Sequence, residues 1–307
     1  MFSTQLRAIL ATLAAFGIFG TSYAGECDSV GSISIGSQAA NVLDDGSVVL
    51  RAKMNINIDG SARAYHLKNR AGGALIHLCN AGEVFLPDGS RYQGSESNET
   101  CTGKFMTDVA AIGAAGWNDP TVGAVRWFGV LGQGRARVGG NTVEGVVPVL
   151  QADGFFVSPT ALIDPHFPPE DQRRYVEPLT VPAGVIRNST SLTARGVVVG
   201  TFGVAIDPVK NVAVPFIVGD TGPRVGEGTP ALARQVAGLA IDPGVEYSHR
   251  YDGVVDTRRV IWVFFGGNGM SPPFTQSSVA DAARAAFDAW GGETRLAHCV
   301  ARSDIPD

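Results

Sequence analysis

The chain reads as mainly β with a few short helices, and three observations carry that reading. Glycine is abundant, at 39 residues, and proline frequent, at 17. Apolar runs of strand length recur between clusters of Gly, Asp, Asn and Pro, the punctuation of tight turns. Long amphipathic runs are few. Ser47 to Ile58 predicts the first strand, entered through Asp44-Asp45-Gly46 and left through Asp59-Gly60. Gly145 to Leu150, Gly154 to Val157, Arg174 to Leu179, Val197 to Ile206, Val212 to Val218 and Val260 to Phe265 read the same way. Asp207 to Asn211 has the composition of a hairpin connection. Thr102 to Ala115 is Ala-rich with periodic apolar positions and predicts a helix. A second helix is expected over Pro230 to Ala237, with Thr229 as N-cap, Pro230 in the first turn and Gly238 beyond the end. A third is expected over Ser278 to Trp290, terminated by Gly291. Pro165 to Asp171 reads as an exposed loop.

Residues 1–24 read as a secretory signal peptide. Arg7 is the only charge among them, an apolar stretch runs from Ile9 to Phe19, and Ser22-Tyr23-Ala24 offers a small-x-small cleavage site. That stretch is too short to span a bilayer comfortably, so the expected location is extracellular or periplasmic, with no stable membrane association. Residues 25–307 show no convincing linker and are expected to form a single domain. Cleavage removes one of 24 bases and none of 29 acids, which takes the formal charge from −5 to −6. A mildly acidic exported protein is a poor nucleic-acid binder and would attract a cationic partner instead. The cysteines are Cys27, Cys79, Cys101 and Cys299. An even count in an exported chain predicts two disulfides with three possible pairings. Cys79 with Cys101, closing a polar loop, and Cys27 with Cys299, tying the termini, are favoured. No cysteine pair has zinc-site spacing and the five histidines are scattered, so no metal is expected.

The loop from Val218 to Gly228 carries Asp220 and Glu227 either side of Gly222-Pro223. Cleaving a glycosidic bond needs two carboxyl groups on one substrate bond, a proton donor and a base or nucleophile. A Gly-rich turn between them lets both point into one cleft; the competing reading is an ordinary acidic turn facing water. Asp220 follows Phe216-Ile217-Val218 at the end of an apolar strand, where desolvation would favour its acid form. Glu227 precedes the N-cap of the helix from Pro230, whose positive end would favour its ionised form. Sequence physics therefore assigns acid to Asp220 and base to Glu227.

These residues resemble glycoside hydrolase family 75, the secreted chitosanases. The resemblance rests on Gly200-Thr201-Phe202-Gly203-Val204-Ala205, the run Val212 to Val218, then Gly219-Asp220-Thr221-Gly222-Pro223 and Gly226-Glu227-Gly228. A second similar block is Ile58-Asp59-Gly60 through Ala64-Tyr65-His66, continuing to Asn80-Ala81-Gly82. A looser one runs from Phe155-Phe156-Val157 to Val185-Ile186. The resemblance implies a compact β-barrel related to the double-psi barrels and catalytic carboxylates at Asp220 and Glu227. It also implies inverting hydrolysis of β-1,4 bonds in chitosan by a monomer that needs no cofactor. Two departures stand out. The Asp220–Glu227 spacing is shorter than in fungal members, and residues 102–150 and 241–307 match no known block.

Asp59, Tyr65, Thr221 and Arg224 are the candidate substrate-binding residues. Asp59-Gly60 reads equally as a hairpin turn, and Arg224 either lines the cleft or pairs with a carboxylate to orient it. His66 reads as locally bonded and His298 as structural. Trp117, Trp127, Tyr175, Tyr247 and Trp262 are candidate sugar platforms or core residues. There is no nucleophile elbow G-x-S-x-G and no dinucleotide-binding G-x-G-x-x-G. A peptidoglycan-directed hydrolase or lyase, and a catalytically silent glycan-binding protein, are the rival readings.

Overall fold

The computed structural model describes residues 27–94, 101, 103–302 and 304–306. The expected signal peptide lies outside them. No helix among them is long and apolar enough to cross a membrane. The strands are β1 (Ser29–Ile35), β2 (Gln38–Leu43), β3 (Val48–Ile56), β4 (Gly82–Phe85), β5 (Arg91–Gln93), β6 (Ala124–Trp127), β7 (Gly132–Val138) and β8 (Asn141–Pro148), followed by β9 (Ala183–Arg187), β10 (Phe202–Asp207), β11 (Val212–Gly222), β12 (Glu227–Gly228) and β13 (Val255–Gly266). Six of them close a barrel in the order β3-β12-β9-β11-β10-β13, with β13 pairing back onto β3. The ring is mixed: β3–β12 and β9–β11 are parallel, the other four pairings antiparallel. The chain is thus mainly β, built on a compact closed barrel with a few short helices.

Side-chain alternation explains why parts of the barrel strands, such as Val260 to Phe264, are apolar on both faces. In β13, Val260, Trp262 and Phe264 enter the barrel core with Leu50, Met54, Ala205 and Phe216. The intervening Ile261 and Val263 pack outside with Phe287, Trp290 and Leu296 of the C-terminal helices. Leu232, Ala233 and Val236 of the helix Pro230–Val236 join the barrel core. Helix Gln276–Trp290 lays Val279 and Ala283 against Ile217 and Phe202. A second core gathers Leu78, Val84, Phe105, Val109, Val125 and Phe156, from the β5-β4-β6 sheet, the helix Lys104–Ala114 and nearby loops.

Cys27 is joined to Cys299 and Cys79 to Cys101, the favoured pairing. Arg295 reinforces the first tie. Its buried guanidinium bridges Asp44 and Asp45 in the β2–β3 turn, 3.0 Å from the Asp45 carboxylate.

Several local expectations need correction. Arg174 to Leu179 is not a strand: its first residue lies in a 3-10 turn, and Val176 N–H bonds the Thr160 hydroxyl (3.2 Å) instead of a neighbouring strand. Gly154 to Val157 contributes only isolated bridges, from Phe155 and Phe156. The third helix starts at Gln276 rather than Ser278, because Thr275 is its N-cap; Ser278 completes the capping box from inside. Gly291 ends that helix, but the chain turns at once into another, Gly292–Ala301.

Candidate active site

Barrel closure assembles the site from three separated segments. Gly228 of β12 and Val218 of β11 both sit opposite Gly184 of β9, so Glu227 and Asp220 occupy the strands on either side of it. Gly184 is required there, since a Cβ would lie 2.6 Å from the Phe216 ring and 3.2 Å from Trp262. A bulge in the β11–β9 pairing falls between Val218 and Asp220, the kind of irregularity that re-aims a side chain beside a site. Asp59 arrives from the end of β3, the strand that pairs with β12. Gly60, at φ +97°, makes the turn behind it; a Cβ there would lie 2.1 Å from the Val176 carbonyl oxygen. Asp59-Gly60 is therefore a turn, but it leads away from the barrel rather than closing a hairpin.

Asn57, Asp59, Gly184, Gly219 and Asp220 line one small cavity. Asp220 is held by donors alone. Its Oδ1 accepts from the N–H groups of Thr221 (2.8 Å) and Ala161 (2.9 Å), and its Oδ2 from the Asn57 side-chain amide (3.3 Å). Burial raises the Asp220 pKa against the pull of these three bonds. Burial also raises Glu227; the Asp220 charge adds to this, and Arg224 opposes it. No hydrogen bond reaches the Glu227 carboxylate among the described residues.

Asp59 is the most perturbed of the three. Burial and the charges of Asp220 and Glu227 push it up to about 8, against hydrogen bonds from Tyr65 and Ser158. The Tyr65 hydroxyl donates to Asp59 Oδ1 at 2.8 Å. Sequence physics expects desolvation to raise Asp220, as it does, and the helix end to lower Glu227; the environment raises Glu227 as well, and Asp59 most strongly.

The other candidates divide. Tyr65 is 2% exposed and stands behind Asp59 rather than in the cleft. Thr221 contributes its backbone N–H to Asp220. Arg224 forms no ion pair within 4.0 Å of a carboxylate among the described residues, so of its two readings the structure fits cleft lining rather than bidentate pairing. It lines a cleft of about 110 Å³ with Lys53, Asn55 and Arg258. Trp262 and Trp127 are core residues, at 0% and 6% exposure, with indole N–H groups bonded to the carbonyls of Lys53 and Val146. Trp117 packs edge-on against Trp127, and Tyr247 is covered by Arg70 and Arg250. Tyr175 does line open space, a cavity of about 800 Å³ shared with Gly60, Glu177 and Phe274. That cavity lies beyond the Asp59-Gly60 turn and does not contain the carboxyls. His66 is locally bonded through Lys68 N–H, and His298 is exposed. His77, Cys79 and Cys101 cluster within 4.8 Å, but the disulfide leaves no thiolate to ligate a metal.

Sequence reasoning missed Asn57 and Ser158. Asn57 joins two of the carboxyl segments, donating to Asp220 while its Oδ1 accepts from Asp59 N–H at 2.7 Å. Ser158 accepts from Gly60 N–H at 3.1 Å and fixes the turn. The spacing Asn57-x-Asp59 at a strand end was the available signal, since alternate residues share a face. Nothing adjacent to Ser158 marks it. Comparison of the chain with protein-family models and with curated proteins gave no match.

Proposed function

We propose that the protein is a secreted, endo-acting glycoside hydrolase that cleaves β-1,4 linkages of chitosan with protein carboxyls alone. The observation that carries this reading is the gathering of Asp59, Asp220 and Glu227 at one end of the barrel, all three with raised pKa values. Carboxyls driven apart in protonation by their surroundings are how one site supplies both acid and base at a single pH. The disulfides fit an oxidising compartment, and the acidic net charge fits a cationic polymer. Hydrolysis replaces the glycosidic C–O bond with one from water, so each cut exposes one new reducing end. The purified chain should release reducing ends from chitosan in the middle of the polymer, lowering its viscosity early. Binding to chitosan without any release would favour the silent glycan-binding alternative.

One observation favours a second reading. Lys53, Arg224 and Arg258 line the cleft beside Glu227, and such a basic rim suits a sugar bearing a carboxylate. A peptidoglycan-directed hydrolase or lyase would use the same carboxyls with an acidic muramyl unit seated there. Release from peptidoglycan with none from chitosan would select that reading.

A further inference from the structure

Resting on the hydrolase reading, we infer that Asp59 is the proton donor of the cleavage and Asp220 its base, reversing the role that position along the chain suggests for Asp220. A protonated carboxyl carries an O–H that needs an acceptor, whereas a carboxylate only accepts. Every group bonded to Asp220 is a donor: two backbone N–H groups share Oδ1, and the Asn57 amide takes Oδ2. That set fits the ionised form and leaves no acceptor for a proton.

Asp59 differs in the number of donors on it and in the charge beside it: the Tyr65 hydroxyl takes Oδ1, and two other carboxyls act on it. Among the described residues, the groups that act on it most are Asp220, Glu227, Tyr65 and Ser158. Two neighbouring carboxylates disfavour a third negative charge. Burial and those charges push Asp59 up to about 8, which keeps it protonated at neutral pH. Asn57 links the pair, its amide on Asp220 and its carbonyl on the Asp59 backbone, so acid and base are held by one side chain.

In the step this supports, the Asp59 proton passes to the glycosidic oxygen as the bond to C1 breaks. The bonding electron pair leaves with that oxygen. Water adds to C1 and gives its proton to Asp220. Asp59 is left as carboxylate and Asp220 as acid, and exchange with solvent restores both. Glu227, whose pKa burial raises against the pull of Arg224, is the third carboxyl beside the sugar ring, and its ionised fraction offsets the positive charge that develops there.

The test uses a leaving group that needs no proton. Wild type, Asp59→Asn and Asp220→Asn, each checked for native circular dichroism, are assayed on chitohexaose and on a β-chitobiosyl fluoride. Asp59→Asn should lose about 10²–10⁴-fold on the oligosaccharide yet keep fluoride release within about tenfold of wild type, because departing fluoride requires no general acid. Asp220→Asn should lose both. The wild-type kcat/KM on chitohexaose should fall above about pH 8, and that limb should be missing from Asp59→Asn acting on the fluoride. Equal losses by Asp59→Asn on the two substrates, or near-normal oligosaccharide turnover, would overturn the assignment. A wild type inactive on both would overturn the hydrolase reading, and this assignment with it.

Discussion

Replacing Asp59 by Asn should make the protein more stable at neutral pH while removing its activity. The folded chain holds the Asp59 carboxyl at about 8 instead of its ordinary 3.8. Between those values the native state keeps a proton that the unfolded chain releases. Stability is therefore fully present below about pH 4 and falls as pH rises through the window, by about 1.4 kcal/mol per pH step. At pH 7 the ceiling on this cost is on the order of 4 kcal/mol. Asn cannot ionise, and its carbonyl can still accept from the Tyr65 hydroxyl, so the variant escapes the cost and keeps the bond. Its new amide hydrogens need acceptors and the native site relaxes, which should reduce the realised gain to about 1–2 kcal/mol. For a chain of this size that corresponds to a Tm increase of about 2–8 °C. Thermal unfolding of both proteins at pH 4 and pH 7.5 checks it. The midpoints should lie close together at pH 4, with the variant ahead at pH 7.5. A variant less stable at pH 7.5, or a difference independent of pH, would refute the electrostatic reasoning.

Gly60→Ala should destabilise by more than about 1 kcal/mol and reduce activity, because the positive φ and the Val176 carbonyl leave no room for a Cβ; chemical denaturation together with chitosan turnover would show both effects. Replacing Cys27 and Cys299 together by Ser should cost about 2–4 kcal/mol by freeing the ends of the chain, read as a lower denaturation midpoint. The KM for chitosan should rise with salt, because attraction between an acidic protein and a cationic polymer is screened over about 8 Å at physiological ionic strength. A KM flat from low to high salt would remove electrostatic recruitment.

Much of the frame was legible in the sequence because it is locally encoded. Thr229 and Pro230 marked a helix start, the Asp207–Asn211 connection does join antiparallel β10 and β11, and apolar Val212 to Val218 and Val260 to Phe265 are buried strands. What escaped depends on distant partners. β1 and β2 are polar enough to pass for loops, yet their pairing and β2's place beside β3 make them strands. The helix Gly292–Ala301 was hidden behind Gly291-Gly292, which reads as a stop, although Leu296 and Cys299 already had the spacing of a buried face. At the site, Asp220 and Glu227 were found because they are seven positions apart. Asp59 was recognised as a residue, but its environment was not legible: burial first, and then the charges of carboxyls more than 160 positions away, raise its pKa once the barrel closes. Local composition around Asp-Gly carries no trace of that field.

The central claim is that these carboxyls cut a sugar polymer. Reducing-end release from chitosan by the purified chain should be measured beside that of folded Asp220→Asn and Glu227→Gln variants. Each amide keeps the shape of the side chain and removes its carboxyl charge and titration. Steady release by the wild type is expected, with losses of about 10²–10⁴-fold in each variant. Wild-type rates in either variant would take that residue out of the mechanism, and no release by the wild type from chitosan or peptidoglycan would contradict the function itself.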